Sequence, residues 1–244
     1  MKKVLLTLML IILTIKVSGH EFEFKTTPVR IDSVVVIDGM NFYQYVAQNM
    51  EFPKDALSNQ TVGIYIGRIR IDSKGNLLKV TTINPISKSI DEGFVKFINE
   101  TWRKHKITIY NISDTTDFII PVKYMVSSGH NQPALEYFVN YELKPNYLTE
   151  ECKVVMFNSH GTTSQTDDMT LLDNARYFYK EKKYKKSIEY LDLLIKRNPY
   201  SEDLHYMRAN AYKHMNDTTK SCRDYHYLKY FLNSTKLKGL THCE

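Results

Sequence analysis

The sequence predicts an α+β fold: a small domain with an antiparallel sheet and packed helices, followed by an all-α array of helical hairpins. Three observations carry this. Alternating apolar residues flank the turn Asp72-Ser73-Lys74-Gly75-Asn76, helical spacing brackets that hairpin on both sides, and after Asp168 the pattern is helical throughout. At 244 residues, 43% of them hydrophobic, the chain is long enough for two modest domains, each with a core of its own.

Lys2 and Lys3 precede an apolar run from Val4 to Ile15, and Val17-Ser18-Gly19 then sets small residues at a cleavage position, the pattern of a secretory signal over 1–19. The run falls short of the roughly 20 residues that span a bilayer, so cleavage is expected rather than anchoring. No cysteine follows it, and a lipoprotein anchor is not indicated. The expected location is periplasmic, with inner-membrane anchoring the alternative if the signal stays uncleaved.

Residues 20–36 read as an N-terminal segment and 37–127 as the first domain. Phe42, Tyr45 and Val46 have helical spacing, predicting a short helix to Asn49 ahead of Pro53. Val62, Ile64, Ile66, Ile69 and Ile71 predict a strand, and Leu77 to Ile83 a second one, paired with it across the turn. Ile90 through Trp102 returns to helical spacing, with Phe94, Phe97, Ile98 and Trp102 on one side. Phe118 to Val126 closes the domain as a strand. Pro121 removes one ladder donor from it and favours an edge position. Residues 128–166 form a connector with loop chemistry at Ser127-Ser128-Gly129, Pro133 and Pro145, although Ala134 to Leu143 and Cys152 to Phe157 each suit a strand.

The region 167–233 holds two helical hairpins. Leu171, Ala175 and Phe178 mark one helix, and Tyr184, Ile188, Leu191 and Ile195 a second across the KEKK turn, with Asn198-Pro199 as the stop. Leu204, Met207, Ala211 and Tyr212, a turn at Met215-Asn216-Asp217, then Cys222, Tyr225, Leu228 and Phe231 repeat the arrangement. The tail 234–244 is expected to cap one end of the array, and the first domain or a second copy of the chain the other. An exported protein meets conditions in which thiols pair. A Cys222–Cys243 disulfide would tether the tail to the array, while Cys222 equally suits a small buried apolar position.

In this order and spacing the motifs of the first domain, from about Ile37 to Val126, resemble the C-terminal domain of TonB-family energy transducers. Gly39-Met40 leads the entry helix, and Phe52-Pro53-Lys54-Asp55-Ala56 matches a YPxxA motif. Gly63 opens the strand, and Asp72 to Gly75 matches a DxxG turn. Ile90-Asp91-Glu92 and Trp102 correspond to the start and the late tryptophan of the main helix, and Pro121-Val122 with Tyr124 to a closing PVxF strand. Gly93 replaces the usual alanine, and no proline follows Trp102. The helical part resembles the tetratricopeptide family, whose repeat is about 34 residues long. Ala175 and Ala209 stand at its small-residue position, Phe178 and Tyr212 at its aromatic position and Pro199 at its closing proline, with Ser187 where alanine is usual.

In the first family this domain captures an extended receptor segment by pairing it to a sheet edge, so the resemblance implies β-strand addition. The strand carrying Phe118, Ile120, Val122 and Tyr124 is the expected edge, and Tyr177 and Tyr206 are candidates for lining a peptide groove on the array. The function expected is an exported cell-envelope adaptor for protein–protein interaction in a Gram-negative bacterium. The alternative is a TonB-type energy transducer contacting outer-membrane receptors for transmembrane transport, which needs an anchor and a long spacer; no proline-rich spacer follows the leader.

Partners are expected to be proteins or extended segments of envelope proteins, with homo-oligomers open and membrane association only through an uncleaved signal. The net charge of +6 resides largely in helical stretches interleaved with acids, the mark of solvated faces, so no nucleic acid is expected. No HExxH, CxxC, GxSxG or phosphate-loop pattern occurs, so neither an enzyme nor a metal or cofactor site is expected.

Overall fold

A computed structural model of the chain describes residues 31–59, 61–127, 152–157 and 168–243. The signal expected over 1–19 and the strand considered over Ala134 to Leu143 lie outside them. Among the described residues no helix is long and apolar enough to cross a membrane.

A single turn of 3-10 helix at Ile31–Ser33 leads to β1 (Val35–Ile37), β2 (Met40–Asn41) and α1 (Phe42–Asn49), followed by α2 (Lys54–Ser58). Asn41 caps α1, its side-chain oxygen accepting from the Gln44 amide at 2.8 Å. The predicted hairpin is β3 (Gly63–Ile71) with β4 (Leu77–Asn84). Its turn is held by Asp72, whose carboxylate accepts from the Lys74 amide at 2.9 Å and the Asn76 amide at 2.8 Å. Then come α3 (Lys88–Lys104), capped by Ser87, β5 (Ile107–Ile109) and β6 (Thr116–Ser127). Trp102 on α3 donates its indole N–H to the Gly75 carbonyl at 3.0 Å, tying the helix to the hairpin turn.

β1 pairs β2 and β5 in a three-stranded antiparallel sheet, while the main sheet has the order β4-β3-β6-β7, where β7 is Cys152–Phe157. This corrects two expectations. Among the described residues β6 has a free side only in its first half: it runs antiparallel to β3 from Thr116 to Tyr124, and from Val122 to Ser127 β7 lies parallel on its other side. And the boundaries at 37 and 127 cut through the domain, because Ile31, Val34 and Val35 belong to its core and β7, assigned to the connector, completes its sheet.

Side chains alternate across β3 as the pleat requires. Tyr65, Ile69 and Ile71, with Phe118, Ile120, Val122 and Tyr124 of β6, pack against Ile90, Phe94 and Ile98 of α3 and Phe42 and Val46 of α1. Gly67 lets Phe94 reach the sheet, since a Cβ there would lie 2.5 Å from its ring. Phe52 and Ala56 are buried in the same core, with Phe52 edge-on to Tyr124 at 5.3 Å.

The helices are α4 (Asp168–Lys180), α5 (Tyr184–Arg197), α6 (Glu202–His214) and α7 (Thr218–His226), the last continued by a π-turn at Tyr227–Phe231. The two hairpins repeat contact for contact. Lys182 and Asn216 turn the chain at φ of 57° and 58°. The Lys183 amide donates to the Phe178 carbonyl at 2.8 Å and the Asp217 amide to the Tyr212 carbonyl at 3.0 Å. Ser187 donates its hydroxyl to the Ala175 carbonyl at 2.8 Å, and Ser221 to the Ala209 carbonyl at 2.9 Å. In the second helix of each hairpin a serine thus satisfies the buried carbonyl of the alanine at the small-residue position of the first.

The array is not a separate body. Ile64 and Ile66 of β3, Ile83 of β4 and Ile119 of β6, on the face away from α3, form one core with Ala209, Tyr225, Leu228, Phe231 and Leu240. Burying each of those four isoleucines contributes about 1.5–3 kcal/mol. The sheet is therefore covered on both faces, by α1 and α3 on one and by the second hairpin on the other. Gly63 marks the closest approach, where a Cβ would stand 2.5 Å from the Lys196 carbonyl oxygen of α5. At the far side the tail folds back: Leu240 is buried, Cys243 is disulfide-bonded to Cys222, and Tyr206 and Lys213 donate to the Lys238 and Gly239 carbonyls, each at 2.7 Å.

Candidate functional site

With both faces of the main sheet covered, a partner strand can reach only its edges. β4 is a terminal strand, hydrogen-bonded to β3 alone, and no strand lies on its outer side among the described residues. Leu78 is 52% exposed, and Lys79 beside it is exposed. A lysine on an open edge discourages indiscriminate pairing with other sheets. On the inner side Tyr65 and Thr82 bring their hydroxyls within 3.0 Å, which holds the strand to β3 midway along. Irregular register between Ile66 and Gly67 and between Arg70 and Ile71 adds twist at both ends.

The strand ends at a cleft of about 290 Å³ between the sheet and the helices. Ile83, Asn84 and Pro85 form one wall, Asp192, Ile195 and Lys196 of α5 a second, and residues of α6, α7 and the π-turn the remainder. Asn84 is fixed by donating its amide to the Ile64 carbonyl at 2.8 Å.

The floor of this cleft is a charge network. Arg208 of α6 donates Nη1 to Asp192 at 2.7 Å, and Nε and Nη2 to the two oxygens of Asp224 at 2.9 and 2.6 Å, so one guanidinium joins three helices. Burial opposes its charge, but Asp224 and Asp192 outweigh that and hold its pKa above the ordinary value. Burial would likewise raise the Asp224 carboxyl, yet the Arg208 charge and the hydrogen bonds from His205 and Arg208 bring it down to about 2. His205 is fully enclosed: Nδ1 faces Asp224 at 3.0 Å, Nε2 faces the Pro199 carbonyl at 3.0 Å, and its ring stacks on Tyr227 at 4.2 Å. Burial pushes its pKa down against the pull of Asp224. With both nitrogens occupied, it holds the loop at Pro199 and does not face a ligand.

Three cations of the lining stand outside this network. Lys196 is half-buried and makes no ion pair among the described residues, acting by charge alone on Asp91 of α3. Arg223 is exposed and likewise unpaired. Lys220 lies over the Tyr212 ring at 5.3 Å and meets Asp217, outside the cleft, at 3.0 Å.

The residues expected from sequence to bind a partner fall elsewhere. Phe118, Ile120, Val122 and Tyr124 have 1% exposure or less and point into the α1–α3 core, because they lie on the face of the sheet that those helices cover. Tyr206 is occupied in holding the tail. Tyr177 is 55% exposed on α4, edge-on to Phe178, and remote from β4 in the chain and in the packing. The motif positions Gly63, Gly75, Trp102, Pro121, Ala175, Pro199, Ala209 and Tyr212 serve packing or turns; Tyr212 also lines the cleft. Sequence reasoning passed over Lys196, Arg208, Asp224 and Arg223, reading them among solvated charges. The available signal was Arg208 itself, one helical turn from Leu204 and next to the buried Ala209.

Cys222, His242 and Cys243 bring their donor atoms within 4.8 Å of one another, but the two sulfurs are bonded to each other, and as they stand they are not free to hold an ion. Comparison of the chain with family models, with curated proteins and with solved structures returns no match.

Proposed function

We propose that this protein is an exported cell-envelope adaptor that binds other proteins by taking an extended segment as an added strand on β4. The outer edge of β4, beside which no strand lies among the described residues, on a sheet whose faces are both covered, is the observation that carries this reading. Main-chain hydrogen bonds along such an edge give affinity with little demand on sequence, and the partly buried side chains beside it supply selectivity. The resemblance of residues 37–126 to a domain that works by strand capture favours the same mode, with the docking strand moved from β6 to β4. The paired helical hairpins, packed on the sheet, form a second surface continuous with the edge. Export rests on the leader-like pattern of residues 1–19.

The test is photo-crosslinking in a Gram-negative host, with a photoreactive residue in place of Lys79 on β4 or, as control, Lys185 on α5. Adducts from position 79 that map to extended segments of envelope proteins, absent from position 185, are the expected outcome. Equal adducts from both positions, or none from position 79, refute strand capture at β4.

A further inference from the structure

The lining of the cleft at the end of β4 carries more cations than acids. Of the charged groups lining the cleft, Lys196, Arg208, Lys220 and Arg223 are cationic and Asp192 and Asp224 anionic. Both acids are engaged by Arg208. Lys220 is paired with Asp217 at 3.0 Å, which leaves Lys196 and Arg223 without an ion-pair partner among the described residues, in a cleft walled by Ile83 and Ile195 where a positive potential is focused rather than dissipated. Lys196 matters most. A half-buried ammonium without an ion-pair partner gains more from an incoming anion than a fully solvated one does, because less water has to be displaced at the moment of contact.

The wall that supplies Ile83, Asn84 and Pro85 is the end of the edge strand itself. A segment paired along β4 therefore runs past Asn84 toward Lys196, Lys220 and Arg223. The occupant is a polypeptide, so the anion it brings is a carboxylate. We infer that the cleft selects acidic extended segments: a strand added on β4 places Asp or Glu side chains, at the end that lies beside Asn84, against Lys196 and Arg223, with Lys220 at the rim. This rests on strand addition at β4 and names the chemistry of the segment taken there. His205 adds nothing to this selectivity, since Asp224 and the Pro199 carbonyl occupy both its nitrogens.

The experiment uses the full chain and two labelled peptides of alternating Val and Thr, flanked at both ends by Glu in one and by Gln in the other. Affinity is read by fluorescence anisotropy, and edge pairing by hydrogen exchange of the β4 amides. The Glu-flanked peptide is expected to bind about tenfold more tightly at low salt, the effect of one well-placed charge-assisted contact. In the Lys196→Gln/Arg223→Gln variant the difference is expected to close to less than about threefold, while the charge-matched Lys180→Gln/Lys185→Gln variant keeps it. Equal affinities with β4 protected by both peptides overturn the cleft's selectivity and leave strand addition standing. Preferential binding of the Glu-flanked peptide without β4 protection, or no binding of either, overturns strand addition and this inference with it.

Discussion

Gly63→Ala tests whether the sheet and the helical array form one body. The added Cβ would lie 2.5 Å from the Lys196 carbonyl oxygen, 3.1 Å from its carbon and 3.3 Å from a methyl of Ile86. Ordinary contact requires the seam to open by roughly 1 Å, and overpacking of that kind costs about 1–3 kcal/mol. The backbone adds to this: φ is 152° at Gly63, a conformation an L side chain rarely adopts, at a further cost of about 1–2 kcal/mol. Together they predict a loss of about 2–5 kcal/mol, out of a total stability of about 5–15 kcal/mol. For a chain of this size that lowers Tm by roughly 4–20 °C.

Gly39→Ala is the control, because Gly39 also has a positive φ, 86°, but nothing lies within 4 Å of a Cβ there. It reports backbone strain alone. Urea unfolding would be followed by fluorescence of Trp102, the single tryptophan, which reports on the sheet side, and by far-UV circular dichroism, dominated by the helices. Coincident transitions, both shifted more by Gly63→Ala than by Gly39→Ala, are expected of a single cooperative unit. Equal costs for the two substitutions, or separate transitions for the two probes, would refute the packing of α5 on β3.

Two further outcomes follow from the array. Asp224 has its carboxyl lowered from the ordinary 3.8 to about 2, so its contribution to stability is complete above the ordinary value and is lost as pH falls from about 4 through 2. Asp224→Asn should flatten the acid limb of a urea-midpoint profile in that window and cost about 3–5 kcal/mol at neutral pH, since Arg208 loses its bidentate partner; a profile parallel to wild type contradicts the network. The Cys222–Cys243 disulfide closes a loop with a sequence separation of 21, worth about 3 kcal/mol by chain entropy. Reduction should therefore lower Tm and expose the 234–244 tail to proteolysis, and an unchanged Tm would show that Leu240, Tyr206 and Lys213 hold the tail without it.

How much of this was legible in the sequence depended on whether the signal was local. α1, the β3–β4 hairpin, α3 and the four array helices follow from spacing, caps and turn chemistry, all of which act within a few residues. β1, β2 and β5 escaped because two or three residues carry no period to read. β7 was readable as a strand, but its parallel pairing with β6 spans residues far apart in the chain. The reading of Pro121 as an edge residue was right for half of β6 and wrong for the other half. β7 begins alongside Val122, immediately after the proline, so the missing donor falls where β6 still has β3 as its only strand neighbour.

The open β4 edge and its cleft depended on a fact of the same long-range kind: which face of the sheet the array would cover. A trace of it was present in β3. Ile64, Tyr65 and Ile66 are consecutive apolar residues, buried at 1%, 0% and 0%, where a strand with one wet face would place a polar residue in the middle. A strand apolar on both sides implies a sheet covered on both sides. The alternating Arg68 and Arg70 farther along mark where that cover changes character, for both pair with Asp117 of β6 in place of an apolar neighbour. Once both faces are closed, any partner that pairs with this sheet must do so at an edge. β6 is flanked by both β3 and β7 from Val122 to Tyr124, and of the two terminal strands, β4 and β7, it is β4 that ends at the cationic cleft.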